Sequence, residues 1–191
     1  MAADLISFPV TAPTAQRAAD PDLAASAADG DTAAFEELVR RYQAVVRGML
    51  TRLTGNMADA DDVAQATFLK AWSKISTYGG GQFRSWICMI AYREFLQDVR
   101  QKKSRRELIE KLTQEGQVTA IPGATGLPHD LDRALARLPD SQRIAVILCA
   151  GAGLSHSEVA TATGWPLGTV KSNVLRGRST LRELLEDYGA A

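Results

Sequence analysis

Residues 154–176 read LSHSEVATATGWPLGTVKSNVLR, and this stretch decides the fold of the second half of the chain. Ser155 can cap a helix, and Glu158, three residues later, completes a capping box. Gly164 stands where a left-handed residue is needed to end that helix. A second helix then begins near Gly168. The stretch therefore predicts two helices joined by a tight turn, which is a helix-turn-helix arrangement.

The second of these helices has an apolar face and a polar, basic face. Val170, Val174 and Leu181 fall on one side at a period of 3.6 residues. Gly177 falls on the same side and would let the helix approach its neighbour closely. Residues 168–182 contain four bases and no acid, and entry into the DNA major groove requires such a face. The predicted DNA contacts are Thr169, Lys171, Ser172, Asn173, Arg176 and Arg178.

The side chains on the basic face suit different parts of DNA. Arg176 suits a guanine edge or a phosphate, whereas Lys171 and Arg178 suit phosphates. The plainer alternative is an ordinary helical hairpin whose basic face is only solvated. A capped helix, a glycine turn and an acid-free second helix occur together here, and this combination favours DNA binding.

The first half of the chain predicts a helical bundle. Apolar residues recur at steps of three and four in three segments: residues 30–55, a segment that begins in the acidic stretch 59–62, and residues 82–106. Three such helices can close a small bundle. The fold class is therefore all-α, with a bundle of three to four helices and a helix-turn-helix domain. The predicted divisions are a disordered tail at 1–28, a first domain at 29–106, a flexible linker at 107–129 and a second domain at 130–188.

The formal net charge of zero hides an uneven distribution. Residues 1–37 hold seven acids and one base, so the remainder carries 21 bases and 15 acids. A second basic cluster lies at residues 93–106, where six bases face two acids. Two basic patches on two tethered domains suggest a bipartite DNA site, since tethering raises the effective concentration of the second contact. The alternative for this cluster is a solvated helix end that the helix dipole favours.

Other function classes find little support in the sequence. Cys88 and Cys149 lie in apolar helical patterns, so we expect buried thiols in a reducing cytoplasm. The acids of residues 59–62 are expected to cap a helix rather than bind metal, because no His or Cys lies near them. His129 and His156 are isolated, so we expect no catalytic group, no cofactor and no small-molecule substrate. No run of about 18 apolar residues occurs, and the N-terminus lacks a signal-peptide pattern, so neither export nor membrane insertion is expected.

Taken together, these segments resemble the extracytoplasmic-function sigma factors of bacterial RNA polymerase, over residues 29–188. Residues 30–42 are similar to the opening helix of region two, and residues 59–72 to the segment that docks on the polymerase clamp helices. The resemblance implies contacts with the polymerase core by one set of residues on the second helix. These are Asp59, Asp62, Gln65, Phe68 and Trp72.

Residues 83–91 resemble the segment that melts and binds the minus-ten element, and the preceding loop in this family captures a flipped base. Phe83 and Trp86 lie on the apolar stripe and are expected in the core, whereas Tyr78 at the loop is a candidate for base stacking. The implied minus-ten contacts are Tyr78, Gln82, Arg93, Gln97, Arg100 and Lys103.

Residues 135–143 and 168–172 resemble region four, which reads the minus-thirty-five element and docks on the polymerase flap. The resemblance thus implies a non-enzymatic sigma factor that directs core polymerase to promoters, is stress-responsive and is controlled by an anti-sigma factor. The rival hypothesis is a conventional helix-turn-helix regulator whose first domain dimerises or senses a ligand. That rival gives no reason for a polymerase-binding surface on the second helix or for a second basic patch.

Overall fold

The structure is a computed structural model that describes residues 19–112 and 130–189, with side chains described at 19–108 and 130–186. Helices make up both described parts of the chain, which contain no strand, and the all-α prediction is confirmed. The helices of the first domain are α1 (Asp20–Ala28), α2 (Thr32–Thr54), α3 (Met57–Lys74), a 3-10 turn (Ile75–Thr77) and α4 (Phe83–Leu112).

The second domain consists of four helices and one wide turn. The fifth helix is short, the sixth continues into a π-helical turn, and a sharp glycine turn separates the last two. Their bounds are α5 (Asp130–Ala136), α6 (Asp140–Val146), the π turn (Ile147–Gly151), α7 (His156–Thr163) and α8 (Leu167–Gly189).

The first domain is built on the long amphipathic helix α2. Its inner face buries Leu38, Val46 and Leu50, each at most 1% exposed, and α3 and α4 pack against it. The helix ends at Gly55, whose φ of 71° is the left-handed conformation that glycine adopts without a Cβ penalty. Asn56 then caps α3 by accepting hydrogen bonds from the first backbone N–H groups of that helix.

The predicted disordered tail, residues 1–28, is wrong for residues 20–28, which form the packed helix α1. Ala24 and Ala27 are each 2% exposed and lie in the core. Asp20 accepts a hydrogen bond from Arg41 at 2.7 Å and another from the hydroxyl of Tyr42. The segment has little amphipathic pattern of its own, so its order depends on α2. Residues 1–18 of the predicted tail lie outside the described residues.

The predicted third helix also differs from α4 in two respects. It ends at Leu112 rather than near Arg106, so it takes the first residues of the predicted linker. The apolar residues that recur along residues 82–106 are expected on one buried face, but Val99 is 44% exposed. The rest of the predicted linker, residues 113–129, falls in the part of the chain that the structure does not describe.

The helix-turn-helix is confirmed in detail. The Ser155 hydroxyl accepts a hydrogen bond from the N–H of Glu158, and the Glu158 carboxylate accepts one from the N–H of Ser155, which completes the capping box. Gly164 ends α7 with a φ of 74°. Gly177 lies against α6 so closely that a Cβ there would come within 2.7 Å of Cγ2 of Val146. This contact seats α8 on the domain core and leaves its opposite face exposed.

Candidate nucleic-acid and polymerase interfaces

Helix α8 presents the polar, basic face that the sequence predicts. Val170, Val174 and Leu181 are at most 7% exposed on its inner side. The outer side carries exposed residues that lie together along successive turns, and α6 and α7 pack against the other side. The exposed face of α8 consists of Thr169, Lys171, Leu175, Arg176 and Arg178, with Ser172 half-buried among them.

Asn173 is the one predicted contact on α8 that the structure removes from this face. The residue is only 4% exposed, and α5, α6 and α7 all pack against the helix that carries it. The buried amide oxygen accepts a hydrogen bond from Nη2 of Arg176 at 3.1 Å. The Ser172 hydroxyl oxygen lies 3.4 Å from the same nitrogen. Asn173 thus contacts the guanidinium of Arg176 and is not part of the exposed face of α8.

Leu175 belongs to the exposed face and was missed in the sequence. It is 73% exposed, and it lies one turn after Lys171 on the surface of α8. An apolar side chain of this kind can contact a thymine methyl group in the major groove. The sequence pattern assigns apolar residues to the buried face of a helix, so it does not predict a leucine on the polar face.

The loop before α4 is held by Tyr78 and by two glycines. Gly80 and Gly81 have φ values of 90° and 87°, which other residues rarely adopt. The Tyr78 hydroxyl donates a hydrogen bond to the carbonyl of Gly81 at 2.6 Å. Its ring packs edge-on against Phe83 and Trp86, with centroids 5.4 and 5.5 Å apart. Tyr78 is therefore half-buried, with its hydroxyl end at the surface, and the adjacent Gln82 is exposed.

A row of exposed side chains follows one face of α4. Arg93, Gln97 and Arg100 repeat at spacings of four and three residues, which places them on the same side of a helix, and Lys103 continues the row. All four are exposed, as a nucleic-acid contact requires. The structure thus brings the predicted minus-ten residues of α4 together as one strip.

Lys102 and Asp59 are bound to each other at the edge of this region. The Lys102 ammonium lies 2.8 Å from Asp59 and 2.9 Å from Asp98. Partial burial acts to lower the pKa of Lys102, but the hydrogen bonds to the two carboxylates outweigh it and raise that pKa above its ordinary value. Asp59, which is predicted to contact polymerase, also joins α3 to α4 through this ion pair, and its side chain is 40% exposed.

The remaining predicted core-binding residues lie around one groove between α2 and α3. Phe35 and Trp72 pack edge to face with centroids 5.0 Å apart and form its floor. Leu69 is 65% exposed beside them. The groove has a volume of about 420 Å³ and is mainly apolar. Its lining residues, which we call the aromatic groove, are Thr32, Phe35, Glu36, Gln65, Phe68, Leu69 and Trp72.

Asp62 lies one turn before Gln65 and is exposed next to the aromatic groove. Leu69 and Phe35 were not among the predicted contacts. The sequence pattern places Phe35 only on the inner stripe of α2, and its position beside Trp72 depends on how α2 and α3 cross. The groove therefore extends the predicted surface onto a second helix.

A second and larger apolar groove runs along the helix-turn-helix domain. It has a volume of about 690 Å³. Leu131, Leu135 and Leu185 line its apolar part, and Arg52 and Arg182 contribute basic groups to its walls. Because Arg52 belongs to α2, this groove lies between the two domains.

Neither a metal cluster nor a membrane helix appears in the described parts of the chain. Across residues 19–112 and 130–189, His, Cys, Asp and Glu nowhere come together in a group of three that could hold a metal ion. Over the same residues, each helix is too short or too polar to cross a bilayer.

Comparison with known proteins places both domains in one family. The model of Sigma-70 region 2 matches residues 38–106, and the model of Sigma-70, region 4 matches residues 129–181. The ECF RNA polymerase sigma factor SigE of Mycolicibacterium smegmatis is 35% identical over an alignment of 172 residues that covers 85% of this chain and 67% of the relative. The ECF RNA polymerase sigma factor SigW of Bacillus subtilis is 30% identical, with 83% of this chain and 92% of the relative covered.

Solved structures agree with this assignment. The sigma factor RpoE of Bartonella quintana, in complex with the anti-sigma factor NepR, matches with a TM-score of 0.63 and 30% identity over 80% of this chain and 96% of that one. CnrH, in complex with the cytosolic domain of CnrY, matches with a TM-score of 0.61 and 26% identity over 88% and 97% of the two chains. The chain belongs to the ECF family of RNA polymerase sigma factors, which direct the polymerase core to specific promoters.

Proposed function

We propose that this sigma factor joins core RNA polymerase through the aromatic groove. The exposure of Leu69 beside the half-buried rings of Phe68 and Trp72 supports this role, since apolar side chains left exposed together mark protein-binding sites. Gln65 and Asp62 supply polar groups at the margin that fix orientation. The lining residues on α3 lie within residues 38–106, the segment that matches Sigma-70 region 2. The lining residues on α2 lie just before that segment.

The exposed face of α8 is proposed to read the minus-thirty-five element. Arg176 is the central base-reading residue, with Lys171 and Arg178 on phosphates and Leu175 against a thymine methyl. The buried amide of Asn173 supports Arg176 in this role, because it holds the guanidinium at 3.1 Å. Thr169 and Ser172 complete the face toward the start of the helix.

The loop at Tyr78–Gln82 and the strip on α4 are proposed to hold the opened minus-ten strand. Tyr78 is a half-buried aromatic residue at this loop, and stacking on aromatic rings binds unpaired bases without hydrolysis of any cofactor. Arg93, Arg100 and Lys103 would neutralise the phosphates of the same strand. The protein would thus act by binding alone, with no catalysis of its own.

Control by an anti-sigma factor is proposed from the two structural relatives, which were solved with NepR and with the cytosolic domain of CnrY. The 690 Å³ apolar groove beside Arg52 and Arg182 gives such a partner a surface to bind. Release of that partner under stress would free the sigma factor in the cytoplasm, where core polymerase is found. An amphipathic helix fits the apolar part of this groove, which Leu131, Leu135 and Leu185 line.

The observation that carries this function is the coexistence of the aromatic groove and the acid-free face of α8 on one chain of the family. A run-off transcription assay with sigma-free core polymerase and fragments of the native genome tests it. We expect transcripts with defined start sites only when the chain is added. Binding of promoter fragments by the chain alone, with no polymerase-dependent transcript, would instead support the conventional helix-turn-helix regulator.

A further inference from the structure

Helix α1 is attached to the rest of the first domain through the carboxylate of Asp20. One oxygen of this carboxylate accepts a hydrogen bond from Nη1 of Arg41 at 2.7 Å, and the other accepts one from the hydroxyl of Tyr42. The side chains of Asp20 and Arg41 are only 24% and 16% exposed, so solvent screens their ion pair weakly. Glu37 accepts a second hydrogen bond from Arg41, at 2.8 Å from Nε, and so orients the guanidinium. Both oxygens of Asp20 thus bind adjacent side chains of α2.

The ring of Tyr42 belongs to a group of four aromatic residues that extends to the loop before α4. Its centroid lies 5.2 Å from that of Phe83, which is 2% exposed, and Phe83 lies 5.4 Å from the ring of Tyr78. Trp86 packs against Phe83 at 5.2 Å and against Tyr78 at 5.5 Å. Aromatic rings at these distances attract each other and restrict each other's orientation. We call Tyr42, Tyr78, Phe83 and Trp86 the ring cluster, and it connects Asp20 to the loop.

The loop at Tyr78–Gln82 depends on this cluster for its position. A Cβ on Gly79, Gly80 or Gly81 would meet no atom within 4 Å beyond the adjoining residues, so these glycines pack against no other element. The hydrogen bond from the Tyr78 hydroxyl to the carbonyl of Gly81 lies within the loop itself. The loop is therefore held by the ring of Tyr78 and by the 3-10 turn that precedes it, and α1 packs against that turn.

The charge of Asp20 acts on both tyrosines of the ring cluster. Burial raises the pKa of Tyr42, and the hydrogen bond to Asp20 raises it further, to about 12. The Tyr42 hydroxyl therefore stays protonated at neutral pH and continues to donate to the carboxylate. Burial also raises the pKa of Tyr78, and the negative charge of Asp20 adds to this effect. Asp20 thus lies close enough to influence the first residue of the loop as well as its own hydrogen-bond partner.

We propose that Asp20 is a positioning residue for minus-ten recognition, which holds the loop at Tyr78–Gln82 in its base-binding form through Tyr42 and the ring cluster. This inference rests on the proposed role of that loop and extends it to α1, which lies before the segment that matches Sigma-70 region 2. A loop that is already positioned loses less conformational entropy when it binds a base than a mobile loop does. Asp20 therefore contributes to the binding of the opened strand without contact with DNA.

Binding of a single-stranded oligonucleotide to the holoenzyme tests this proposal. The oligonucleotide carries a fluorescent label and the non-template minus-ten sequence of a promoter mapped by run-off transcription. Asp20→Ala removes the carboxylate, and Tyr42→Phe removes only the hydroxyl that donates to it. The matched control is Asp22→Ala, which removes an exposed acid from the same first turn of α1. The affinity of each variant for core polymerase is measured in parallel.

We expect Asp20→Ala to bind the oligonucleotide about tenfold more weakly than the wild type. The loss of a charge-assisted hydrogen bond lowers the fraction of molecules with a positioned loop, and the apparent affinity falls in proportion to that fraction. Tyr42→Phe should lose less, because its ring stays in the cluster, and Asp22→Ala should bind as the wild type does. All of these variants should bind core polymerase with the affinity of the wild type.

Tyr78→Leu separates a positioning role from a general loss of stability, because it removes the stacking ring but keeps apolar bulk in the cluster. Asp20→Ala should have little further effect on oligonucleotide binding in this background, since its influence passes through Tyr78. An equal loss in both backgrounds would overturn the proposal. Circular dichroism checks the helix content; if Asp20→Ala loses helix, Asp20→Asn replaces it, because the amide keeps the shape and removes the charge.

The same experiment distinguishes this inference from the proposed function beneath it. If Tyr78→Leu weakens oligonucleotide binding and Asp20→Ala does not, the positioning role of Asp20 is refuted and the proposed minus-ten site stands. If Tyr78→Leu binds the oligonucleotide as the wild type does, the loop is not the minus-ten site, and the inference about Asp20 is refuted with it.

Discussion

At the scale of single residues, the proposed reading of the minus-thirty-five element depends on how Arg176 is held. Its guanidinium is exposed, but Nη2 binds the buried oxygen of Asn173, so the side chain is oriented before DNA arrives. An oriented side chain loses less conformational entropy on binding than a free one. Arg176 and Asn173 are therefore expected to act as a pair.

Replacement of Arg176 tests whether it reads a base or a phosphate. Arg176→Ala should weaken promoter binding by the holoenzyme by ~1–3 kcal/mol if the guanidinium forms a bidentate contact with a guanine. Arg176→Lys keeps the charge and should recover little of that affinity, because lysine does not form the bidentate contact. Filter binding or anisotropy on promoter DNA measures both. Full recovery by lysine would assign Arg176 to a phosphate.

Replacement of Asn173 tests the pairing. Asn173→Ala should weaken promoter binding when Arg176 is present and have little additional effect in an Arg176→Ala background. A double-mutant cycle on promoter affinity measures this coupling. Additive losses in the two backgrounds would show that Asn173 acts on stability alone.

The two cysteines should differ in reactivity. Burial raises the pKa of the Cys88 thiol to about 11, so little of it is thiolate at neutral pH. Cys149 is only half-buried, and although burial raises its pKa too, the nearby Arg178 acts in the opposite direction. We expect a colorimetric thiol reagent to modify Cys149 in the native protein and Cys88 only after unfolding. Cys149→Ser should abolish the native-state reaction; persistence of that reaction would contradict the assignment.

At the scale of elements, the helix-turn-helix owes its geometry to α7 and to the close contact between α6 and α8. Partial burial acts to raise the pKa of Glu158, but its hydrogen bonds with Ser155 and Ser85 outweigh this and lower the pKa below the ordinary value of 4.5. A carboxylate with a lowered pKa in the folded state stabilises the fold above its unfolded-state pKa. That contribution disappears as pH falls through the folded-state pKa.

The capping box should therefore make the stability of this domain depend on pH in the acidic range. Glu158→Gln should lower the melting temperature at neutral pH, and the difference from the wild type should shrink as pH falls below about 4.5. Thermal melts followed by circular dichroism at a series of pH values measure this. If the difference in melting temperature stays constant down to the lowest pH at which the protein folds, the charge of Glu158 does not contribute to stability.

The packing of α8 on α6 gives a prediction with an internal control. Gly177→Ala would bring a Cβ within 2.7 Å of Val146, so the helices must shift. We expect a net loss of about 1–2 kcal/mol of folding free energy, because overpacking exceeds the gain in helix propensity. Gly168→Ala on the same helix meets no atom within 4 Å and should cost nothing. Denaturant unfolding measures both; equal stabilities would contradict the close contact.

The sequence predicts an element well when the residues that determine it lie close together in the chain. The capping box at Ser155 and the helix ends at Gly55 and Gly164 involve residues within one turn, and all three were predicted. Helix α1 was not, because its order rests on Arg41 and Tyr42, which are over twenty residues away.

The same reasoning explains the site residues. The 3.6-residue period placed Asn173 on the flank of α8, but only the packing of α5, α6 and α7 shows that the flank is buried. Asp59 was predicted from its neighbours in sequence, whereas its partner Lys102 lies on another helix. The period of a helix identifies its faces, and tertiary contacts decide how wide the buried face is.

At the scale of the whole molecule, the protein carries three exposed surfaces on different helices. The aromatic groove lies on α2 and α3, the exposed strip on α4, and the exposed face on α8. The first is proposed to bind polymerase, and the other two are proposed to bind promoter DNA. The proposed function therefore requires that the chain binds core polymerase through the aromatic groove.

The most direct measurement of this central claim is the affinity of the chain for sigma-free core polymerase, by fluorescence anisotropy. The test variant is Gln65→Ala with Phe68→Ala in the aromatic groove, and the control is Met57→Ala, an exposed residue on α3 outside it. We predict a Kd raised about thirtyfold or more for the double variant, since truncation of a central aromatic anchor costs about 2 kcal/mol. The control should bind as the wild type does. Wild-type affinity in the double variant would show that the aromatic groove is not the polymerase-binding site.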